Sequence, residues 1–272
     1  MITIGTTSVK TLLAKSKISG FDYVVNPYVG CPHKCVYCYA EFMRKFTGHS
    51  EAWGDFLDVK ECFSHTHPAK LFHMKVMISS VTDPYNLYEE KFKLTRNILA
   101  QLRLAQAEVS IFTKSPLVLR DMDILKEMWK AEVCFSFSTA DDSFRQLAEP
   151  NAPALKDRLH ALQVLHENNI PTSVMIAPIF PELTDWEKII ELTRPFTNRY
   201  TFDSLNMKPA YQKKVISFIE KNFPQHLPTY CDIYLEGKRD YWNQLSQKIK
   251  QICQQYNLPA EICFNNQQNI SY

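Results

Sequence analysis

The order of its elements constrains this chain most. Short apolar, β-branched or aromatic runs alternate with longer amphipathic stretches through most of the 272 residues. Runs at 22–29, 75–81, 108–113, 132–138, 171–177 and 200–207 read as strands. Stretches at 39–46, 89–105, 121–130, 154–168 and 184–193 read as helices between them, and 211–222 and 241–256 as helices after the last strand. Alternation of this kind predicts an α/β fold with a parallel sheet, and six units in about 200 residues predict a partial (β/α)6 TIM-type barrel. Val76-Met77-Ile78 and Val133-Cys134-Phe135 are continuous rather than alternating, as in strands buried on both faces. Thr184, with Asp185 and Glu187 after it, reads as a helix start, and Asp121 as the cap of the helix carrying Ile124 and Leu125. Asn168-Asn169 before Pro171 reads as a left-handed helix end. The expected organisation is an N-terminal extension over 1–20, a barrel over 21–210, and a helical region over 211–272 packed on the barrel.

Composition removes several functions. There are six glycines, and neither G-x-G-x-x-G nor G-x-x-x-x-G-K-[ST] can be written from them, which argues against a dinucleotide fingerprint or a P-loop. Lys plus Arg number 31 against 29 Asp plus Glu, a formal net charge of +2, so no strong field points to nucleic acid or membrane. No run approaches the ~18 apolar residues of a membrane span, and the first residues lack a signal-peptide core. The chain therefore reads as cytoplasmic, without a membrane partner. In that reducing setting its eight cysteines read as ligands, redox groups or buried thiols rather than disulfides.

Barrel chemistry gathers at the C-terminal ends of strands. Those ends are polar here: Gly30-Cys31, Ser79 to Asp83, Thr113 to Ser115, Ser136 to Thr139, Ala177-Pro178 and Asn206 to Lys208. One of them carries Cys31, Cys35 and Cys38 in a C-x3-C-x2-C pattern. Three thiolates on one short loop suit a soft metal: an iron–sulfur cluster, zinc or Cu(I). An electron-transfer cubane or a structural zinc takes four protein ligands, so three cysteines leave one iron of a 4Fe-4S cluster open. Zinc completed by a distant cysteine or by His33, which sits awkwardly between two ligands, is the alternative, as is a chance grouping of structural cysteines.

C-x3-C-x2-C with Tyr37 before the third cysteine resembles the radical S-adenosylmethionine (SAM) superfamily. Asn26-Pro-Tyr-Val-Gly-Cys-Pro-His-Lys-Cys-Val-Tyr-Cys-Tyr-Ala resembles its spore photoproduct lyase-like branch, including the DNA repair photolyase-like and radical SAM mobile pair protein B groups. The similarity extends over 79–85, 113–121 and 149–158, and through most of the chain to about residue 210. The resemblance implies a 4Fe-4S cluster on Cys31, Cys35 and Cys38, with SAM on the open iron. It implies reductive cleavage of SAM to a 5′-deoxyadenosyl radical that abstracts hydrogen from an unknown substrate. An external one-electron reductant of flavodoxin or ferredoxin type and a companion radical SAM protein are the implied partners.

The same resemblance suggests residue roles, each beside a plainer one. Ser80 and Asp83 would hold the SAM ammonium, or Asp83 would cap the helix beyond Tyr85. Lys114 would pair with the SAM carboxylate, or lie along the surface. Ser136 and Ser138 share a strand face and would bond ribose or carboxylate, or the backbone. Arg158 would bind the SAM carboxylate or pair with Glu149. Tyr37 and Tyr39, flanking Cys38, would cover the cluster or adenine and relay a hydrogen atom, or simply pack. One departure stands out: lesion lyases carry a hydrogen-donating cysteine near the end of the second strand, and 75–85 contains none. Duplex DNA also calls for basic patches. DNA-lesion repair and a non-enzymatic zinc or iron–sulfur module acting with a partner are kept as alternatives, with nucleic-acid binding left open. Cys62, Cys134, Cys231, Cys253 and Cys263 read as structural, and His65, His67 and His73 as surface histidines.

Overall fold

The computed structural model describes residues 2–62, 68–207 and 209–264; His65, His67 and Lys208 lie outside them. The described strands are β1 (Thr3–Val9), β2 (Leu13–Lys15), β3 (Tyr23–Val25), β4 (Tyr28–Val29), β5 (Phe56–Cys62), β6 (Lys75–Ile78), β7 (Glu108–Thr113), β8 (Lys130–Phe137), β9 (Thr172–Ile179), β10 (Arg199–Ser204) and β11 (Ala260–Ile262). The α-helices are α1 (Glu89–Phe92), α2 (Leu94–Leu104), α3 (Met122–Glu127), α4 (Asp142–Ala148), α5 (Leu155–Glu167), α6 (Trp186–Thr193), α7 (Pro209–Asn222), α8 (Leu227–Tyr234) and α9 (Asp240–Gln255).

Six strands, β3, β6, β7, β8, β9 and β10, pair side by side in chain order, all parallel. This is the expected partial (β/α)6 barrel. It stays open: β2 pairs antiparallel with β3 at one edge, and β11 parallel with β10 at the other. A second sheet, ordered β1-β5-β4, stands apart. Its strand β1 runs parallel to β5 from Thr3 opposite Phe56 to Val9 opposite Cys62.

Several local expectations change. The run 22–29 divides into β3 and β4, which join different sheets; Pro27 between them has no N–H for a ladder. The stretch 89–105 breaks at Lys93, whose φ of 52° is left-handed, into α1 and α2. Residues 39–46 form a 3-10 rather than an α-helix. Asp185, not Thr184, caps α6, accepting from the Lys188 N–H at 2.9 Å. Asp121 makes no cap bond. Its carboxylate instead accepts from the Tyr85 hydroxyl and from Arg96 and Arg120, a stronger set of donors than one helix N–H. Asn169 is left-handed as expected, with φ 59°.

The barrel strands also alternate more than their sequences suggest. Val109, Ile111, Val133, Phe135, Val174, Ile176, Tyr200 and Phe202 join Leu99, Ile124, Leu162, Ile189 and Ile249 of the helices in the main core. Ser110, Phe112, Glu132, Ser136, Met175, Thr201 and Asp203 on the other face are only half-buried. The six strands do not close into a ring, and this face is less covered than the helix-packed one. Arg199 of β10 reaches Glu132 of β8 across β9 on that face, Nε to Oε1 2.8 Å.

Candidate active site at the cysteine loop

The loop from Gly30 to Cys38 follows β4 and rests on the small sheet. Gly30 has φ +90°, and a Cβ there would lie 2.3 Å from the Phe56 carbonyl oxygen of β5. Gly54, at φ +96°, brings its turn against Lys34 and the Cys31 carbonyl. Both positions demand glycine for conformation and for space. The far side of the loop is tied to the end of α4: Val36 N–H donates to the Ala148 carbonyl at 2.9 Å, and Asn151 Nδ2 to the Pro32 carbonyl at 2.9 Å. Thr82, after β6, donates to the Gly30 carbonyl at 2.6 Å. The loop is thus held against the C-terminal end of the barrel, where the polar strand ends were expected to meet.

None of the eight cysteines is in a disulfide. Burial, with the neighbouring Cys38, Asp83 and Cys35 charges, pushes the Cys31 thiol well up. Burial raises Cys35 to about 12 and also raises Cys38, where a hydrogen bond from Trp53 works the other way. A metal on these sulfurs must therefore displace protons. Among the described residues no three His, Cys, Asp or Glu side chains form a ready-made metal cage. The donor set nonetheless fits an iron–sulfur cluster: three soft thiols on one loop, close enough to raise one another's pKa. His33 lies within the same loop, turned to Asp83. It is 4% exposed, and its Nδ1 lies 3.6 Å from Asp83 Oδ2. Burial depresses its pKa against the pull of Asp83.

Asp83 joins three segments. Its oxygens accept from Tyr85 N–H at 2.9 Å, the Thr113 hydroxyl at 2.7 Å and Lys114 N–H at 2.8 Å, with His33 just beyond. Ser80 is fastened differently. Asn26 Oδ1 accepts from its backbone N–H at 2.8 Å, and Asn26 Nδ2 donates to its hydroxyl at 3.2 Å. Beside it Ser79 is 3% exposed, sits at φ 70°, and buries a hydroxyl with no partner among the described residues.

A second buried group centres on Glu149, which is 0% exposed. It accepts from the Tyr37 hydroxyl, from Ser138 Oγ at 2.8 Å and from Arg158. Burial alone would raise its pKa, but the Arg158 and Lys114 charges hold it at about 2. Arg158, also fully buried, donates further to the Pro153 and Ser136 carbonyls at 3.0 and 3.1 Å. Of the two roles suggested for Arg158, pairing with Glu149 is the one seen in the geometry. Ser136 is half-buried on the inner face, whereas Ser138 is buried.

Lys114 points its ammonium over the Tyr37 ring, 5.8 Å from the centroid, and has no carboxylate ion-pair partner among the described residues. Burial works against its charge, yet Glu149, Cys35 and Asp83 hold its pKa above the ordinary value. Tyr37 also meets Phe180 edge-on at 5.5 Å, and the Tyr39 hydroxyl donates to the Ser80 carbonyl. The structure therefore brings Cys31, Cys35, Cys38, Tyr37, Tyr39, Ser80, Asp83 and Lys114 into one place, with Ser138 and Arg158 behind Tyr37. Asn26, Ser79, Trp53 and Glu149 lie with them. The sequence reading placed Asn26 in the cysteine motif, Ser79 in a polar strand end and Glu149 as a partner for Arg158, without a cofactor role for any of the three, and passed over Trp53.

An open (β/α)6 barrel with a three-cysteine loop at its C-terminal mouth defines a class of enzyme. Residues 25–193 match the Radical SAM superfamily, and the chain belongs to it; the chemistry of that superfamily is cleavage of SAM to a 5′-deoxyadenosyl radical. The protein is 42% identical over 210 residues to the uncharacterized protein MJ0683 of Methanocaldococcus jannaschii, covering 77% of this chain and 80% of that one. It is 23% identical over 261 residues to the uncharacterized protein Rv2578c of Mycobacterium tuberculosis, covering 89% and 76%. Its fold is similar to that of a spore photoproduct lyase variant with bound AdoMet and dinucleoside spore photoproduct, with TM-score 0.57 and 16% identity over 81% of this chain. It is also similar to Streptococcus suis SuiB bound to S-adenosylmethionine, with TM-score 0.54 and 14% identity over 89% of this chain. The protein spans 66% of the former's length and 49% of the latter's, and at these identities the likeness is one of fold.

Proposed function

We propose that Cys31, Cys35 and Cys38 ligate a 4Fe-4S cluster with one open iron for SAM, and that the enzyme abstracts hydrogen from its substrate. When bound, the cluster and SAM supply an electron and a 5′-deoxyadenosyl radical. The observation that carries this reading is the meeting of three thiols with Lys114, a cation lacking a carboxylate partner among the described residues. Lys114 holds the SAM carboxylate. Ser80 and the orphan hydroxyl of Ser79 offer hydrogen bonds beside it, and Ser136 does so from the inner strand face. Asp83 fixes the backbone of Lys114, while Ser138 and Arg158 fix Glu149, which holds the Tyr37 hydroxyl. Tyr37 and Tyr39 close over the loop and exclude water.

A flavodoxin- or ferredoxin-type protein delivers the electron, and a companion radical SAM protein is the partner we expect. A reducing cytoplasm suits both. No described helix is long and apolar enough to cross a membrane. The net charge of +2 and the lack of cysteine in 75–85 favour a substrate other than a duplex photoproduct.

The test is anaerobic. The purified chain, reconstituted with iron and sulfide, reduced and given SAM, is expected to bind about four irons and release 5′-deoxyadenosine. Zinc in place of iron, with no nucleoside released, would sink the proposal. Lys114→Met is expected to weaken SAM binding about tenfold to a hundredfold, as for loss of a charged hydrogen bond, at unchanged iron content. An unaltered affinity in equilibrium dialysis would remove Lys114 from the SAM site.

A further inference from the structure

Trp53 lies outside the cysteine motif, in the turn before β5, yet its indole N–H points at a proposed cluster ligand. Nε1 is 3.3 Å from Cys38 Sγ, within range for a hydrogen bond to sulfur. The ring is 5% exposed and meets Phe56 edge-on, with centroids 5.7 Å apart and planes at 85°. Phe56 in turn stacks on His49 at 3.9 Å. The His49 ring is gripped at both nitrogens: Nε2 lies 3.0 Å from Asp58 Oδ2 and Nδ1 3.2 Å from Glu51 Oε2. The indole therefore sits in a small apolar cluster with Ala40 and Phe56, against Cys31 and Cys38, and its donor has one place to go.

We propose that Trp53 is a positioning residue that sets the reduction potential of the cluster through its hydrogen bond to Cys38. This rests on the cluster reading above. Adding an electron to an iron–sulfur cluster increases negative charge on its sulfurs. A donor aimed at one sulfur stabilises the reduced form more than the oxidised form and raises the potential. Neutral indole suits this role because it donates one hydrogen bond, accepts none, and brings no proton equilibrium of its own. The small sheet then has a chemical role as well as a supporting one, since the turn leading into β5 carries a side-chain donor to a motif sulfur.

Two measurements test this. In the metal-free protein, the Trp53 indole proton, identified by its loss in Trp53→Phe, is expected to move upfield in the NMR spectrum of Cys38→Ala. An unmoved resonance means the bond is absent in solution and overturns the proposal. In the reconstituted protein, Trp53→Phe keeps an aromatic ring against Phe56 and removes the donor together with part of the indole's volume. Its midpoint potential is expected to fall. At the wild-type midpoint its reduced-to-oxidised ratio should drop about threefold to tenfold, tenfold being about 59 mV for one electron. Trp53→Gln, which restores an N–H donor, should recover part of that shift.

An unchanged midpoint in Trp53→Phe at full iron content overturns the proposal. Failure of Trp53→Phe to load iron while Trp53→Gln loads supports it, and failure of both in folded chains assigns Trp53 to packing and overturns it. A wild-type chain that binds no iron would refute the cluster assignment itself, and the iron count separates that result from the others.

Discussion

Cys35→Ala is expected to fold, to lose its cluster and to release no 5′-deoxyadenosine. Cys35 is 8% exposed and packs with Tyr37, Phe144, Phe180 and Tyr211 in a second core. Truncating so small a side chain there removes about 1–2 kcal/mol of packing. For a chain of this size that is a fall in melting temperature of a few degrees. The chemical loss is far larger. Two thiols leave a second iron of the proposed cluster without a protein ligand. Iron content should drop well below four per chain, and product to below about 1% of wild type, in line with the loss of an essential catalytic group. Cys134→Ala removes a buried thiol of β8 away from the loop and should keep both iron and activity. Full activity in Cys35→Ala would overturn the ligand set.

The second large effect lies behind the loop. Glu149→Leu strips the counter-charge from Arg158, and both side chains are fully buried. An uncompensated buried charge costs about 3–5 kcal/mol, which predicts a melting temperature lower by about 10 °C. Removing the charge as well, in Glu149→Leu with Arg158→Met, should restore much of the loss. A double variant no more stable than the single one would show that the pair is not the source.

The pH dependence has a definite sign. Glu149 titrates at about 2 in the folded chain against an ordinary 4.5, because Arg158 and Lys114 outweigh burial. A carboxylate lowered in this way stabilises the fold fully above 4.5 and progressively less as pH falls from 4.5 through 2. Wild-type melting temperature should therefore decline more steeply than that of the double variant across that window. Parallel profiles would argue against Glu149 as the responsible group.

Legibility in the sequence depends on distance along the chain. The cysteine loop declares itself because its three thiols fall within eight residues, a spacing that suggests soft-metal chemistry without reference to the fold. The six barrel strands are legible for a similar reason, since each is a local run. The inner face is harder to read: Met77, Phe112 and Cys134 occupy inward positions, so apolar residues stand on both faces and hide the alternation that burial reveals. β1 gives no strand signal because Thr3–Val9 is mostly exposed and polar, and is held by a partner strand some fifty residues later. Glu149 meets Tyr37 across 112 residues, and no pattern in either segment announces the meeting. Arg158 shows the limit well. The sequence offers it two partners, and only packing distinguishes them.

The second sheet has a bearing on how the site is assembled. It is three strands wide, and β1 is largely exposed along its length, whereas β7 and β8 lie deep in an eight-stranded sheet. Such unequal burial divides a protein into units that open separately, the least buried first. Parting of β1 from β5 would loosen the seat of Gly30 and the Trp53 turn while the large sheet stays packed against its helices. The three thiols then have a local route to solvent that does not require global unfolding. On the cluster assignment proposed above, such an opening of the small sheet would let iron reach the sulfurs, and its re-closure would cover them again.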